Sequence, residues 1–135
     1  MRIDVEERGD VTVVTPEDRL DLLGYLDLEE ALNDLLREGR KRLVLNLAKV
    51  SFVNSTSMAV IHRYSLQVKE RGGVLMLSGA RGSVRGVFRI GGLDQVIGIC
   101  DELDEAVGRV SSGRKDSTDK QKPGGTPPEL TSTKT

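Results

Sequence analysis

Apolar and charged positions alternate from the start of the chain, with Ile3 and Val5 set between charged residues as far as Glu7. A period of two predicts a half-buried strand. Arg8-Gly9-Asp10 predicts a turn, and Val11 to Val14 a second strand that stops near Pro16, so the two form a hairpin. Glu17-Asp18-Arg19-Leu20-Asp21 reads as a loop, with Asp21 available to cap the next element. There the period changes. Leu22, Leu26, Leu28, Ala31, Leu32, Leu35 and Leu36 recur at helical spacing through Glu38, and Gly39 ends that helix. Arg42 to Leu47 is almost continuously apolar, which predicts a strand buried on both faces, as inside a parallel sheet.

A second short apolar piece, Val50 to Val53, leads straight into Asn54, Ser55, Thr56 and Ser57. Small polar residues of this kind start helices, because their oxygens accept from the first unpaired backbone N–H groups. The helix then runs to Arg71, with Met58, Ile61, Ser65 and Val68 along one side and Ala59, Val60, Tyr64 and Leu66 flanking them. Arg71-Gly72-Gly73 stops it. Val74 to Ser78 reads as a strand. A short helix carrying Val84, Val87, Phe88 and Ile90 comes next, closed by Gly91-Gly92. Val96 to Ile99 reads as a fifth strand, and Asp101 starts a last helix with Leu103, Ala106, Val107 and Val110. The order β-β-α-β-α-β-α-β-α predicts an α/β fold. Its sheet is mixed, of four to five strands with a parallel centre, and about four helices cover it.

Composition sets the limits of this domain. The chain has 135 residues and only 37% hydrophobic ones, concentrated in residues 1–110. Residues 111–135 are mainly Ser, Thr, Lys, Pro, Gly and Asp, with Leu130 the one large aliphatic. Such a tail cannot bury enough surface to offset its ordering entropy and is expected to be disordered. The net charge of −1 gives no footprint for nucleic acid. No apolar run approaches a membrane span, and the strand-like N-terminus does not resemble a signal peptide. The one cysteine, Cys100, excludes an internal disulfide and fits a reducing, cytoplasmic compartment. One His and one Cys make no metal site, and nothing in the sequence calls for a cofactor.

Three chemical readings arise for the helix start. The residues cap the helix and do nothing more; or Ser55 is a phosphorylation site, since a helix N-terminus is electropositive and accommodates phosphate; or Ser55 is a hydrolase nucleophile. The last requires a base within hydrogen-bond reach. The one histidine, His62, lies seven residues along the same helix, about 10 Å away, and no Gly-x-Ser-x-Gly elbow is present. Enzymatic activity is therefore not expected. Gly79-Ala80-Arg81-Gly82-Ser83 lacks the Gly-Lys-Ser/Thr ending of a phosphate loop and reads as a connector.

Several stretches together resemble the STAS domain of bacterial anti-sigma factor antagonists over residues 3–110. Arg19-Leu20-Asp21 resembles that family's Gly-x-Leu-Asp signature. Val44-Leu45-Asn46-Leu47 with Val50-Ser51-Phe52-Val53 resembles its central strand and the turn after it. Asn54-Ser55-Thr56-Ser57-Met58-Ala59-Val60-Ile61 falls on its Asp-Ser-Ser/Thr-Gly-Leu-Gly-x-Leu helix start. Here Asn54 replaces the family's Asp, Ser57 and Ala59 replace its Gly residues, and Asp18 replaces the Gly before Arg19.

The resemblance implies a binding module that sequesters an anti-sigma factor serine kinase and so frees a sigma factor. It implies phosphorylation at Ser55, with Thr56 the second candidate, and a phosphatase that reverses it. It places the partner surface at Asn54, Ser55, Thr56, Ser57, Ala59, Arg19 and Asp21. The same resemblance is compatible with a STAS subunit of a stress-sensing complex or of a lipid-transport ATPase.

Overall fold

The computed structural model describes residues 1–111. In chain order they form β1 (Ile3–Arg8), β2 (Val11–Pro16), β3 (Asp18–Leu20), α1 (Gly24–Arg37), β4 (Arg42–Asn46), β5 (Val50–Val53), α2 (Ser55–Glu70), β6 (Val74–Ser78), α3 (Gly82–Ile90), β7 (Ile99–Cys100) and α4 (Leu103–Val110). A 3₁₀ turn at Leu93–Gln95 precedes β7. Beyond Ser111, the expected tail lies outside the described residues.

The main sheet has the order β1-β2-β4-β6-β7. Its first pair is the antiparallel hairpin that the alternation predicts, in the register Val5 to Val14 and Arg8 to Val11. The remaining neighbours are parallel. The apolar run of β4 is explained by its place at the centre. Leu43 and Leu45 enter the layer built with Leu28 and Leu32 of α1 and Ile61 and Val68 of α2. Val44, between them, enters the opposite layer with Val11, Val13, Cys100, Ala106 and Val110. Helix α4 thus covers one face, and the longer helices cover the other. Burial within the α4 layer pushes the Cys100 thiol above its ordinary pKa.

Helices α1 and α2 stop where their glycines stand. Gly39 and Gly72 take φ of 85° and 80°, a left-handed conformation open to a residue without Cβ. Each end closes by the same pair of bonds: Gly39 N–H to Leu36 O and Arg40 N–H to Leu35 O, Gly72 N–H to Lys69 O and Gly73 N–H to Val68 O. These reversals return the chain into β4 and β6.

Four details differ from the sequence reading. Residues 18–20 are not loop but strand, paired in parallel with β5 as a separate two-stranded sheet. Three residues carry too little pattern to announce a strand; the pairing with β5 makes it one. The fifth strand of the main sheet is shorter and later than residues 96–99: only Ile99 and Cys100 pair, with Leu77 and Ser78, and Val96 is 62% exposed. Ile90 does not pack, being 88% exposed. Val84 and Phe88 define the buried stripe of α3, and Ile90 sits about 200° around the helix from Phe88. By the same geometry Leu26 faces away from Leu28, while Leu22 precedes the helix, so both are exposed. The buried stripe of α2 is Ser57, Val60, Ile61, Tyr64 and Val68, rotated from the predicted one; Met58 and Ser65 lie at its margin.

Asp18 holds φ of 82°, the one non-glycine residue at positive φ among those described. Its N–H donates to Lys49 O at 2.9 Å and its carbonyl accepts from the Ser51 hydroxyl at 3.3 Å, so the pairing of β3 with β5 enforces the conformation. Asp18→Gly should relieve this and stabilise the domain by about 0.5–1 kcal/mol. Urea unfolding measures it, and a loss of stability would contradict the assignment of strain to Asp18.

Candidate functional site

Strand β5 delivers the chain to the start of α2 in extended geometry. Asn54, at φ −98° and ψ 174°, is the cap: its Oδ1 accepts from the Ser57 N–H at 2.8 Å. The Asn54 N–H donates to Leu20 O at 3.1 Å, and the Ser57 hydroxyl donates to the same carbonyl at 2.9 Å. One backbone oxygen of β3 therefore holds the helix start from two sides. Ser57 is completely buried. Its expected place in a partner surface is corrected accordingly: it fixes the helix to β3 and presents nothing outward.

Ser55 and Thr56 are exposed, and neither hydroxyl is needed for capping. The first turn of α2 holds no acidic residue, so the positive end of the helix is uncompensated by its own side chains. Ala59, also exposed, lies one turn beyond Ser55 on the same face. Arg19 and Asp21 reach this end of the molecule through β3. The Arg19 guanidinium lies 4.3 Å from the centroid of the Phe52 ring, and its Nε is 3.5 Å from Asp21 Oδ2. Asp21 also does the capping expected of it. Its Oδ1 accepts from Gly24 N–H at 3.1 Å and Leu23 N–H at 3.2 Å. Those backbone donors, the Gly24 bond foremost, lower the carboxyl pKa, with Arg19 adding to them. The stabilisation from this carboxylate is complete above the ordinary carboxylate pKa and is lost as pH falls through the lowered value. A Cβ at Gly24 would collide with the Arg19 carbonyl, so glycine permits α1 to close against β3.

The structure thus brings Asn54, Ser55, Thr56, Ala59, Arg19 and Asp21 to one end of the domain and withdraws Ser57 into the core. Sequence reasoning missed Phe52, Leu22 and Leu23. Leu22 and Leu23 are 70% and 76% exposed, directly after the anchored Leu20 and Asp21. Leu22 reads as core because leucines at helical spacing look like core, and Leu23 falls outside that spacing. His62 lies two turns along α2 from Ser55, too far to serve it as a base. Among the described residues no helix is long and apolar enough to cross a membrane.

This fold and helix start define a family. The model of the STAS domain matches residues 2–106, and the chain belongs to that family. Among curated proteins it is similar to the anti-sigma-F factor antagonist RsfB of Mycobacterium tuberculosis, with 28% identity over 117 residues, 84% of this chain and 93% of that one. Among solved structures it resembles an anti-sigma factor antagonist from Mycobacterium paratuberculosis, with a TM-score of 0.74 and 24% identity over 81% of this chain and 92% of that one. It also resembles the Bacillus cell fate determinant SpoIIAA in its phosphorylated form, with a TM-score of 0.65 and 18% identity over 82% of this chain and all of that one.

Proposed function

We propose that this protein is an anti-sigma factor antagonist, a cytoplasmic binding module whose partner is an anti-sigma factor serine kinase and whose switch is phosphorylation of Ser55. The observation that carries the reading is the division of labour at the start of α2. Asn54 caps the helix and Ser57 anchors it, which leaves Ser55 exposed at an uncompensated positive helix end. The name of the mycobacterial relative supports the anti-sigma factor antagonist part of this reading.

The partner surface is Arg19, Asp21, Asn54, Ser55, Thr56 and Ala59, with Phe52, Leu22 and Leu23 supplying exposed apolar area. Unphosphorylated, this surface binds the kinase and withdraws it from the sigma factor. A phosphate brings about −1.5 to −2 charges into that contact, which is then lost; a serine phosphatase restores it.

The test is transfer of phosphate from ATP by the anti-sigma factor kinase, with the modified residue located by peptide mass spectrometry. Modification at Ser55 in the wild type and none in Ser55→Ala is the expected result. An unmodified wild type, or label confined to Thr56, overturns the assignment.

A further inference from the structure

A concave surface lies away from the Ser55 end. The C-terminal half of α2, the start of β6 and the segment leading into β7 enclose a cleft of about 480 Å³. That volume falls within the range of small-molecule sites. Its apolar lining includes the buried Leu75 and Ile97, and three of the large hydrophobic residues left exposed, Leu66, Val74 and Val96, gather around it. Packing of the domain does not require those three side chains to meet water together; the cleft concentrates them.

The one charged side chain lining the cleft is Lys69. Lys69 and His62 line it from α2, seven residues apart and so on nearly the same helix face. Most basic side chains of the domain have carboxylate partners, but Lys69 makes no ion pair among the described residues. No carboxylate lines the cleft. Gln95 adds an amide at the edge.

An apolar hollow with an unpaired ammonium at its rim complements an apolar body that ends in an anion. We infer that this cleft is a binding site for a small anionic amphiphile, its ring or chain seated on Leu75, Ile97 and Val96 and its phosphate, sulfonate or carboxylate held by Lys69. The site shares no residue with the Ser55 surface, so it stands or falls separately from the proposed switch.

The probe is 1-naphthyl phosphate, titrated into the ¹⁵N-labelled full chain and followed by amide chemical shifts. Saturable shifts confined to residues 62–75 and 95–98 are expected. The neutral 2-(1-naphthyl)ethanol should bind at least about tenfold more weakly, because it forms no charge-assisted bond with Lys69. Lys69→Gln should weaken 1-naphthyl phosphate by a similar factor, and Val96→Asp, at an exposed position, should weaken it further by repulsion. Lys49→Gln, which removes the same charge from the turn between β4 and β5, should leave binding unchanged. Retained shift dispersion confirms that each variant is folded.

No saturable shift, equal binding of the neutral compound, or equal effects of the Lys69 and Lys49 variants would overturn the inference. So would inorganic phosphate that binds as tightly as the naphthyl ester, since the apolar lining would then contribute nothing. Shifts in the same residues on raising protein concentration alone would assign the surface to a second copy of the chain instead.

Discussion

Ser55→Asp is expected to bind the anti-sigma factor kinase at least about tenfold more weakly than wild type, about 1.4 kcal/mol, while remaining folded. The fold should survive because Ser55 caps nothing: Asn54 supplies the cap, Ser57 the anchor, and a carboxylate at a helix N-terminus is itself favourable. Binding should not survive, because a charge desolvated in a contact without a mate costs more than it gains. Ser55→Ala is the matching control. It should cost at most about 1 kcal/mol of stability and keep wild-type affinity, yet accept no phosphate. Calorimetric titration of both variants against the kinase separates the cases. Wild-type affinity in a folded Ser55→Asp protein would reduce Ser55 to a surface residue and end the switch reading.

Leu45→Ala should destabilise the domain by about 2–5 kcal/mol, through lost transfer energy and the cavity left behind. Leu45 is wholly buried in the central strand, between β2 and β6, against the layer that α1 and α2 cover. Parallel partners on both sides restrict the strand's freedom to move inward and fill the gap, which argues for the upper half of that range. A small domain has only about 5–15 kcal/mol in total, so the variant should unfold at much lower urea. A measured loss below about 1 kcal/mol would show that the site collapses freely and that β4 is not the packed centre.

Long, strongly periodic segments were legible in the sequence. The hairpin, α1, β4, α2, β6 and α4 emerge from alternation, helical spacing and glycine stops, each of which reflects a local energetic preference. Short elements were not. Strand β3 exists because Leu20 and Arg19 find Val53 and Phe52, a pairing that no three-residue pattern can announce. The two residues of β7 likewise depend on Leu77 and Ser78. Apolar residues outside the core misled for a related reason. Leu22, Leu26 and Ile90 have the spacing or composition of core residues, and only the start of α1, for Leu22, and the orientation of each helix, for Leu26 and Ile90, show that they face water.

The candidate site was legible in part. The run of small polar residues at 54–57 marked the helix start, but four adjacent hydroxyl and amide side chains cannot be told apart by type. Their roles separate only when the position of the Leu20 carbonyl is known. That oxygen selects Ser57 for the interior and, with Asn54 bonded to Ser57 N–H, leaves Ser55 and Thr56 outside.

The double hold of the Leu20 carbonyl on Asn54 and Ser57 has a consequence in time. With the helix start bonded from two sides, a group added at Ser55 is expected to alter charge without altering shape. Nothing in the domain would then have to refold, and no slow rearrangement would keep a trace of the earlier condition. Under the proposed reading, the signal is recorded in one covalent bond. Its duration is set by how quickly that bond is made and cut, and the domain itself keeps no memory once it is gone.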